Sequence, residues 1–321
     1  MFISKRKIKG NTYFYLEDRI NGKKISISLG RGEQVEKRIK EAFDKINQEK
    51  ALANFKVSKT KKIQNITDSE LLSLELLKIN YALLKEFFPQ GFKSFKEDEF
   101  VRYAQGSTSV EGNSLSLQEA TLVLEKGTVI AGKKIDEIRE IENMKFVAKN
   151  SEKIKGINEK TIKKMHSLIL KGFDEKKPGQ YRKEPMFIIG SKVKPSKADD
   201  VPKKMNQLIL WLEKNKDKHP VELASQFHAR FEEIHPFLDG NGRTGREILN
   251  VVLQKEGYPR VIINLDNRET YIRLLERVQI KKEYYKFSKF VYLCLEKRAE
   301  EIKQIIDDNK DIMLKKLKKQ K

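Results

Sequence analysis

"HPVELASQFHARFEEIHPFLDGNGRTGREILNVVLQKEG" (residues 219–257) is the stretch on which the reading of the fold turns. Its centre, GNGRTG at 240–245, spells G-x-G-x-x-G, the glycine pattern of a dinucleotide-binding turn. That turn requires a β-strand directly before the glycines and a helix after them. The helix after is present, with Ile248, Leu249, Val252 and Leu253 on one apolar face and Gly257 to close it. The strand before is not, because Val221, Ala224, Phe227, Phe231 and Ile234 recur at helical intervals among charged residues. The stretch therefore reads as helix, turn, helix, and the dinucleotide reading fails.

The physical content of the loop survives that failure. A glycine-rich turn opening a helix presents free backbone N–H groups and the positive end of the helix dipole to an anion. Gly240 and Gly242 allow close backbone approach, and Asn241, Arg243 and Arg246 add donors on the first turn. His235, where the preceding helix ends, is the side chain best suited to accept a proton at neutral pH. Asp239 places a carboxylate beside the phosphate cradle, the usual way that Mg²⁺ is shared between protein and nucleotide. A base, a metal carboxylate, an anion cradle and two arginines within a dozen residues form a constellation for phosphoryl or nucleotidyl transfer.

Outward from this stretch the chain is mostly helical. Residues 1–32 differ: their composition suits strands, Asn21-Gly22 suits a tight turn, and Ile25, Ile27 and Leu29 alternate onto one face, which predicts a small antiparallel meander. Helical spacing then runs through 33–55 and 66–88, and a short helix is expected over 97–112. Ser116 to Glu119 reads as a capping box opening a helix that stops at Gly127. Further helices are expected near 135–150, 158–171, 201–215, 219–234, 242–256, 268–278 and 283–305. Between two of them, "GQYRKEPMFIIGSKVKPS" (179–196) has a β-like apolar run, a Gly-Ser turn and flanking prolines, the pattern of a hairpin. From Lys310 the chain reads as a fraying basic helix end.

The formal charge of +21 raises nucleic acid, anionic surfaces and nucleotide phosphates as partners, although many of the lysines are scattered over helix faces. The single cysteine, Cys294 in "FVYLCLEK", excludes an intramolecular disulfide framework and reads as a packed helical residue. No stretch approaches a membrane span, and "MFISKRKIKG" lacks the apolar region of a signal peptide, so a cytoplasmic protein is expected. His228 is read as a packing or supporting residue, His166 as partly buried on a helix, and His219 as a helix cap before Pro220.

The string His235-Pro236-Phe237-Leu238-Asp239-Gly240-Asn241-Gly242-Arg243-Thr244-Gly245-Arg246 resembles the Fic family signature HPFx[D/E]GNGRxxR at every defined position. "GQYRKEPMFIIGS" is similar to the family's flap hairpin and "NRETYIRLLERV" to the helix after its core, so the likeness spans roughly 95–295. The resemblance implies a mainly α Fic-type helical bundle with a β-hairpin flap, beside the N-terminal meander. It divides the chain into a meander at 1–32, a helical region at 33–95, a Fic domain at 96–305 and a basic tail at 306–321.

The resemblance also implies an activity: transfer of AMP from ATP to a Ser, Thr or Tyr hydroxyl of a target protein. His235 would take the hydroxyl proton, Asp239 would hold Mg²⁺, and Gly240, Asn241, Gly242, Arg243 and Arg246 would bind the phosphates. Tyr271 and Gln279 would face the nucleotide, with Gln279 standing where the family commonly has an asparagine. Upstream, "STSVEGN" (107–113) resembles the family's inhibitory helix, [S/T]xxxE[G/N], with Ser107, Glu111 and Gly112 at the defined positions. This places the inhibitory helix near 97–112 and pairs Glu111 with Arg246. The flap near 182–195, through Met186, Phe187, Ile188, Ile189 and Gly190, would add the target segment as a strand.

Other uses of the same site are removal of AMP and UMP or phosphocholine transfer. A phosphotransferase of the related toxin branch fits less well, since that branch usually has Lys where this chain has Gly242. A homodimer is a further expected partner. So is nucleic acid bound through residues 1–32, as in a DNA-associated regulator.

Overall fold

The computed structural model describes residues 1–20, 22–58, 60–187 and 193–319. The chain divides into two units, the first made of 1–62, 66–92 and 296–321 and the second of 63–65 and 93–295.

The first unit opens with three antiparallel strands, β1 (Phe2–Ile8), β2 (Asn11–Ile20) and β3 (Lys23–Gly30), in the order β1-β2-β3. The expected meander is observed, with Asn21 of its second turn outside the described residues. Gly10 and Gly22 both adopt positive φ, which an L side chain resists. One face of the sheet buries Leu16 and Ile20 under helix α1 (Gln34–Ser58), and Lys50 of that helix pairs with Asp18. Helix α2 (Asp68–Phe87) begins at a Thr67–Glu70 capping box and packs on α1, burying Leu71, Leu74 and Leu77.

The basic tail is not a fraying end. Helix α11 (Tyr284–Asp308) is followed by α12 (Lys310–Lys319), which buries Met313, Leu314 and Leu317. Its lysines are tied down: Lys310 to Asp44, Lys316 to the Phe87 carbonyl at 2.5 Å and Lys318 to Glu36 at 2.5 Å. Counting only the charge of "LKKLKKQK" concealed the i, i+4 apolar stripe that docks it.

The second unit is helical. It contains most of α3 (Pro89–Ser109), then α4 (Leu117–Lys126), α5 (Ile135–Ser151), α6 (Glu159–Ile169), α7 (Val201–Lys214), α8 (Pro220–Ile234), α9 (Asn241–Lys255) and α10 (Arg268–Lys281). The Ser116–Glu119 capping box forms as the spacing predicts, and Gly127 closes α4 in the left-handed conformation. Helix α3 differs from the short element expected over 97–112: it starts at Pro89 and ends at Ser109, leaving Glu111 and Gly112 in the turn beyond it.

At the centre lies α9, packed on α8, α6 and α5, and among the described residues it buries nearly its whole surface. Gly245 makes the α8–α9 approach possible. A Cβ there would lie 2.5 Å from His228 Nδ1 and 2.6 Å from Glu232 Oε1, so close packing is what requires a glycine here. The middle of α9 is held by a fully buried pair, Arg260 Nη1 to Glu247 Oε2 at 2.8 Å, with Arg260 Nη2 also donating to the Ala148 carbonyl at 3.0 Å.

The flap differs from a regular hairpin in what can be described. Ile188, Ile189 and Gly190 lie outside the described residues, and neither 181–187 nor 193–197 forms a strand. Met186 is half-buried and Phe187 is 83% exposed. No helix among the described residues is long and apolar enough to cross a membrane. Cys294 is buried, as its helical surroundings suggested.

Candidate active site

Helix α8 ends where it must to deliver His235. Pro236 follows it, and His235 takes a left-handed backbone (φ 50) while its N–H still donates to the Phe231 carbonyl at 2.9 Å. Residues 235–240 then cross to the start of α9, whose first residue Asn241 follows a left-handed Gly240. The loop between the helices is fixed from three sides.

Asn241 fixes it from within. Its Oδ1 accepts from Phe237 N and its Nδ2 donates to the Phe237 carbonyl, both at 2.9 Å. The side chain is therefore spent on the loop, and what Asn241 offers an anion is its backbone amide, a correction to the donor role expected of its side chain. His166 on α6 fixes the loop from below: Gly179 N donates to its Nδ1, so its Nε2 donates to the Asp239 carbonyl, both at 2.8 Å. Its ring stacks on Phe237, with centroids 3.6 Å apart. Arg182 fixes the loop from the flap side, donating to the carbonyls of His235 (2.8 Å), Glu184 (2.8 Å) and Ser196.

The loop, α10 and the turn after α3 enclose a cavity of about 370 Å³. His235, Asp239, Gly240, Asn241, Gly242 and Arg246 line it on one side, and Tyr271, Ile272, Leu275 and Gln279 of α10 on another. Glu111 reaches in from the turn. Its Oε1 accepts from Arg246 Nη2 at 2.8 Å and its Oε2 lies 3.0 Å from Arg243 Nε. Gly242 makes this position possible, since a Cβ there would collide with Glu111 Oε1. Arg246 is held at all three of its nitrogens: Nε and Nη2 donate to the hydroxyl and carbonyl of Ser107 at 3.0 and 2.7 Å, and Nη1 to the Tyr271 hydroxyl at 3.2 Å. Gly112 has φ +104 and lets the chain turn away behind Glu111.

The other expected residues divide. Tyr271 is buried beneath Arg246, bonded also to His228 Nε2 at 2.8 Å, so it supports the arginine as well as bordering the cavity. Arg243 is not among the residues lining the cavity. It lies behind the loop, 3% exposed, paired with Glu140 (2.9 Å), Asp239 (3.2 Å) and Glu111. Asp239 is partly exposed to the cavity, its Oδ2 paired with Lys176 at 2.7 Å. Among the described residues no group of three or more His, Cys, Asp or Glu could form a metal cage of its own.

Electrostatics set the protonation states. Burial, helped by the Arg182 charge, lowers the His235 pKa to about 4, so the imidazole is neutral at pH 7 and free to accept a proton. Burial lowers His228 to about 3 and His166 to about 4. For Glu111 burial pushes upward, but Arg243 and then Arg246 outweigh it and hold the carboxylate below its usual range. Glu232, one turn before His235, is the opposite case. Burial raises its pKa to about 8, leaving a neutral carboxylic acid with Oε2 4.0 Å from His235 Nδ1.

Sequence reasoning missed Glu232, Arg182, His166 as the loop's brace, and Arg268, which lines the cavity while its Nε donates to the Val110 carbonyl at 2.7 Å. Each acts through a partner distant in sequence or one helical turn away inside a charged run. His219 was legible: its Nδ1 accepts from Val221 N at 3.2 Å as the cap of α8.

The loop brings the start of α9, a neutral histidine and an arginine to a single cavity, an arrangement that can hold an anion beside a base. The chain matches the Fic/DOC family over residues 156–253. It is 30% identical over 241 residues to proteins named protein adenylyltransferase Fic from Drosophila grimshawi and Drosophila virilis, a stretch covering 73% of this chain and 49% of each relative. The chain thus spans about half the length of these curated relatives. Among solved structures, a Fic family protein from Desulfovibrio desulfuricans G20 matches with a TM-score of 0.67 and 26% identity, over 77% of this chain and 76% of that one. A Fic domain containing signaling protein from Bacteroides thetaiotaomicron matches with a TM-score of 0.66 and 21% identity, over 78% and 98%, a likeness of fold.

Proposed function

We propose that this chain is a protein adenylyltransferase that moves AMP from ATP to a Ser, Thr or Tyr hydroxyl of a target protein, and that Glu111 holds it inactive. The observation that carries the reading is the shared cavity: neutral His235, the first residues of α9 (Asn241 and Gly242) and Arg246 line one space, and Glu111 occupies the arginine. The name of the Drosophila relatives supports the nucleotide and the protein acceptor.

In this mechanism the triphosphate lies along the N-terminus of α9, where free amides and the helix dipole favour negative charge. The hydroxyl of the target attacks the α-phosphorus, and His235 takes its proton as the new P–O bond forms. The bond from the α-phosphorus to the bridging oxygen breaks, and pyrophosphate leaves. Arg246, once released by Glu111, balances charge on the outer phosphates. Gln279, Leu275 and Ile272 border the end of the cavity that would take the nucleoside.

The residues present suit Mg²⁺ of the kind that binds one carboxylate and completes its shell with phosphates and water. Asp239, which lines the cavity directly before the Gly240–Gly242 turn, is the carboxylate that would hold it. When bound, the ion neutralises phosphate charge. Met186 and Phe187, with Ile188 to Gly190, are the segment proposed to seat the acceptor peptide by strand addition.

Glu111 inside the cavity favours one second reading, AMP removal, in which the same carboxylate orients a water against the modified hydroxyl. Labelled ATP tests the first reading. The Glu111→Gly protein should label itself or a lysate protein, and a Glu111→Gly/His235→Ala protein should not. Failure of Glu111→Gly to transfer label, with release of AMP from a modified target by the unaltered protein, would favour the second.

A further inference from the structure

The N-terminal sheet has two faces, and only one is used by its own unit. Leu16, Ile20 and Asp18 point to α1. The alternate residues of β2, Tyr13, Tyr15, Glu17 and Arg19, point the other way. The pairing register sets Arg6 of β1 opposite Tyr13, and Lys24 and Ser26 of β3 opposite Arg19 and Glu17.

The cations on this face are arranged, not scattered. Glu17 lies at its centre with its side chain 1% exposed, beneath Arg6 on one side and Lys24 on the other, each 2.6 Å away. Ser26 adds a bond to the same carboxylate at 3.1 Å. The Arg6 guanidinium also lies over the Tyr15 ring, 4.2 Å from its centroid. One sunken carboxylate thus holds two cations in place across three strands, while Arg6 and Lys24 stay 45% and 53% exposed. With Arg19, also exposed, the outward charges of the face are positive.

This arrangement selects among anionic partners. A lipid surface would call for a broad apolar area among the cations; the exposed apolar side chains of this face are Phe2 and Ile8, at the two ends of β1, and serines, tyrosines and cations lie between them. Single-stranded nucleic acid would call for open aromatic faces on which bases stack, and the Tyr15 ring is already covered by Arg6. Three strand axes about 4.8 Å apart span roughly 10 Å, and the major groove of duplex DNA is about 12 Å wide and admits a two-stranded β-ribbon, so two of the three strands would enter it. We propose that the open face of β1–β3, with Arg6, Arg19 and Lys24 as its cations, docks double-stranded DNA in the major groove.

The test uses the full chain and a fluorescein-labelled 20-base-pair duplex, followed by anisotropy between 50 and 200 mM NaCl. Three phosphate contacts give a log–log salt slope of about −2.7, so affinity should fall about 40-fold across that range. Arg6→Gln/Arg19→Gln/Lys24→Gln should lower the slope by about one per residue replaced. Arg19→Gln alone leaves the partners of Glu17 in place and should lower it by about one, which separates lost contacts from a disturbed sheet. Lys37→Gln/Lys40→Gln/Lys45→Gln, an equal loss of exposed charge on α1, should leave binding unchanged. Three results would overturn the proposal: no duplex binding at 50 mM salt, equal loss in the α1 variant, or tighter retention on phosphatidylserine vesicles or the matching single strand than on the duplex.

Discussion

Glu111 and Arg246, 135 residues apart in sequence, meet at 2.8 Å, and Ser107 one turn earlier holds the same guanidinium through its hydroxyl at 3.0 Å and its carbonyl at 2.7 Å. The contact proposed to inhibit is therefore a clamp with two jaws. Ser107→Ala removes one neutral-to-charged hydrogen bond, worth about 1.5–3 kcal/mol. Self-labelling by Ser107→Ala should lie between that of the unaltered protein and that of Glu111→Gly. Labelling no higher than the unaltered level would mean that the carboxylate alone keeps the clamp shut.

The pH profile reports on His235. Its pKa of about 4 keeps the imidazole neutral well below pH 7. In a Glu111→Gly background, kcat/KM should stay flat from pH 8 to pH 6. An unshifted histidine, with a pKa of about 6.5, would be only about one quarter neutral at pH 6. A fourfold fall over that interval would contradict the buried assignment. The limb seen in kcat should lie higher, because bound polyphosphate favours the protonated ring.

Glu232 links stability to pH in the opposite direction from the buried histidines. Its folded pKa of about 8 exceeds the unfolded value near 4.5, so between those values the folded protein keeps a proton that the unfolded chain has lost. Its contribution is fully present below about pH 4.5 and is lost as pH rises through 8. His166 and His228, lowered to about 4 and 3, favour folding above about pH 6.5 and weaken it as pH falls. Glu232→Gln cannot ionise, so thermal melts should show a Tm above that of the unaltered protein at pH 8.5 and a smaller difference at pH 5. A lower Tm at both values would show that the acid makes a bond the amide cannot replace.

Two packing predictions concern α9. In an ordinary helix Gly→Ala is stabilising, but a Cβ at 245 would strike His228 and Glu232. Gly245→Ala should therefore destabilise by about 1–3 kcal/mol in urea unfolding. Arg260→Ala would strand the fully buried Glu247 carboxylate and should cost about 3–5 kcal/mol. A loss under 1 kcal/mol in either would mean that the helix relaxes more than its burial implies.

Much of this was legible in the chain itself. Helical spacing over 219–234 and 242–256 rejected the strand that a dinucleotide fold needs, and α8 and α9 stand there. Capping chemistry at Ser116 and Gly127 marked α4 to the residue. What spacing could not give was the far side of each contact. That Asn241 turns inward to Phe237, that Arg243 lies behind the loop, and that His166 carries the Asp239 carbonyl depend on α5, α6 and α8 meeting around it. The apolar stripe of α12 was present in the sequence but outweighed by its lysines.

The central claim is that Glu111 occupies the arginine that the nucleotide needs, and labelled ATP measures it directly. Glu111→Gly protein, incubated with α-labelled ATP and Mg²⁺, should incorporate at least tenfold more label than the unaltered protein, and His235→Ala in the same background should incorporate none. Equal incorporation with and without Glu111 would contradict the account.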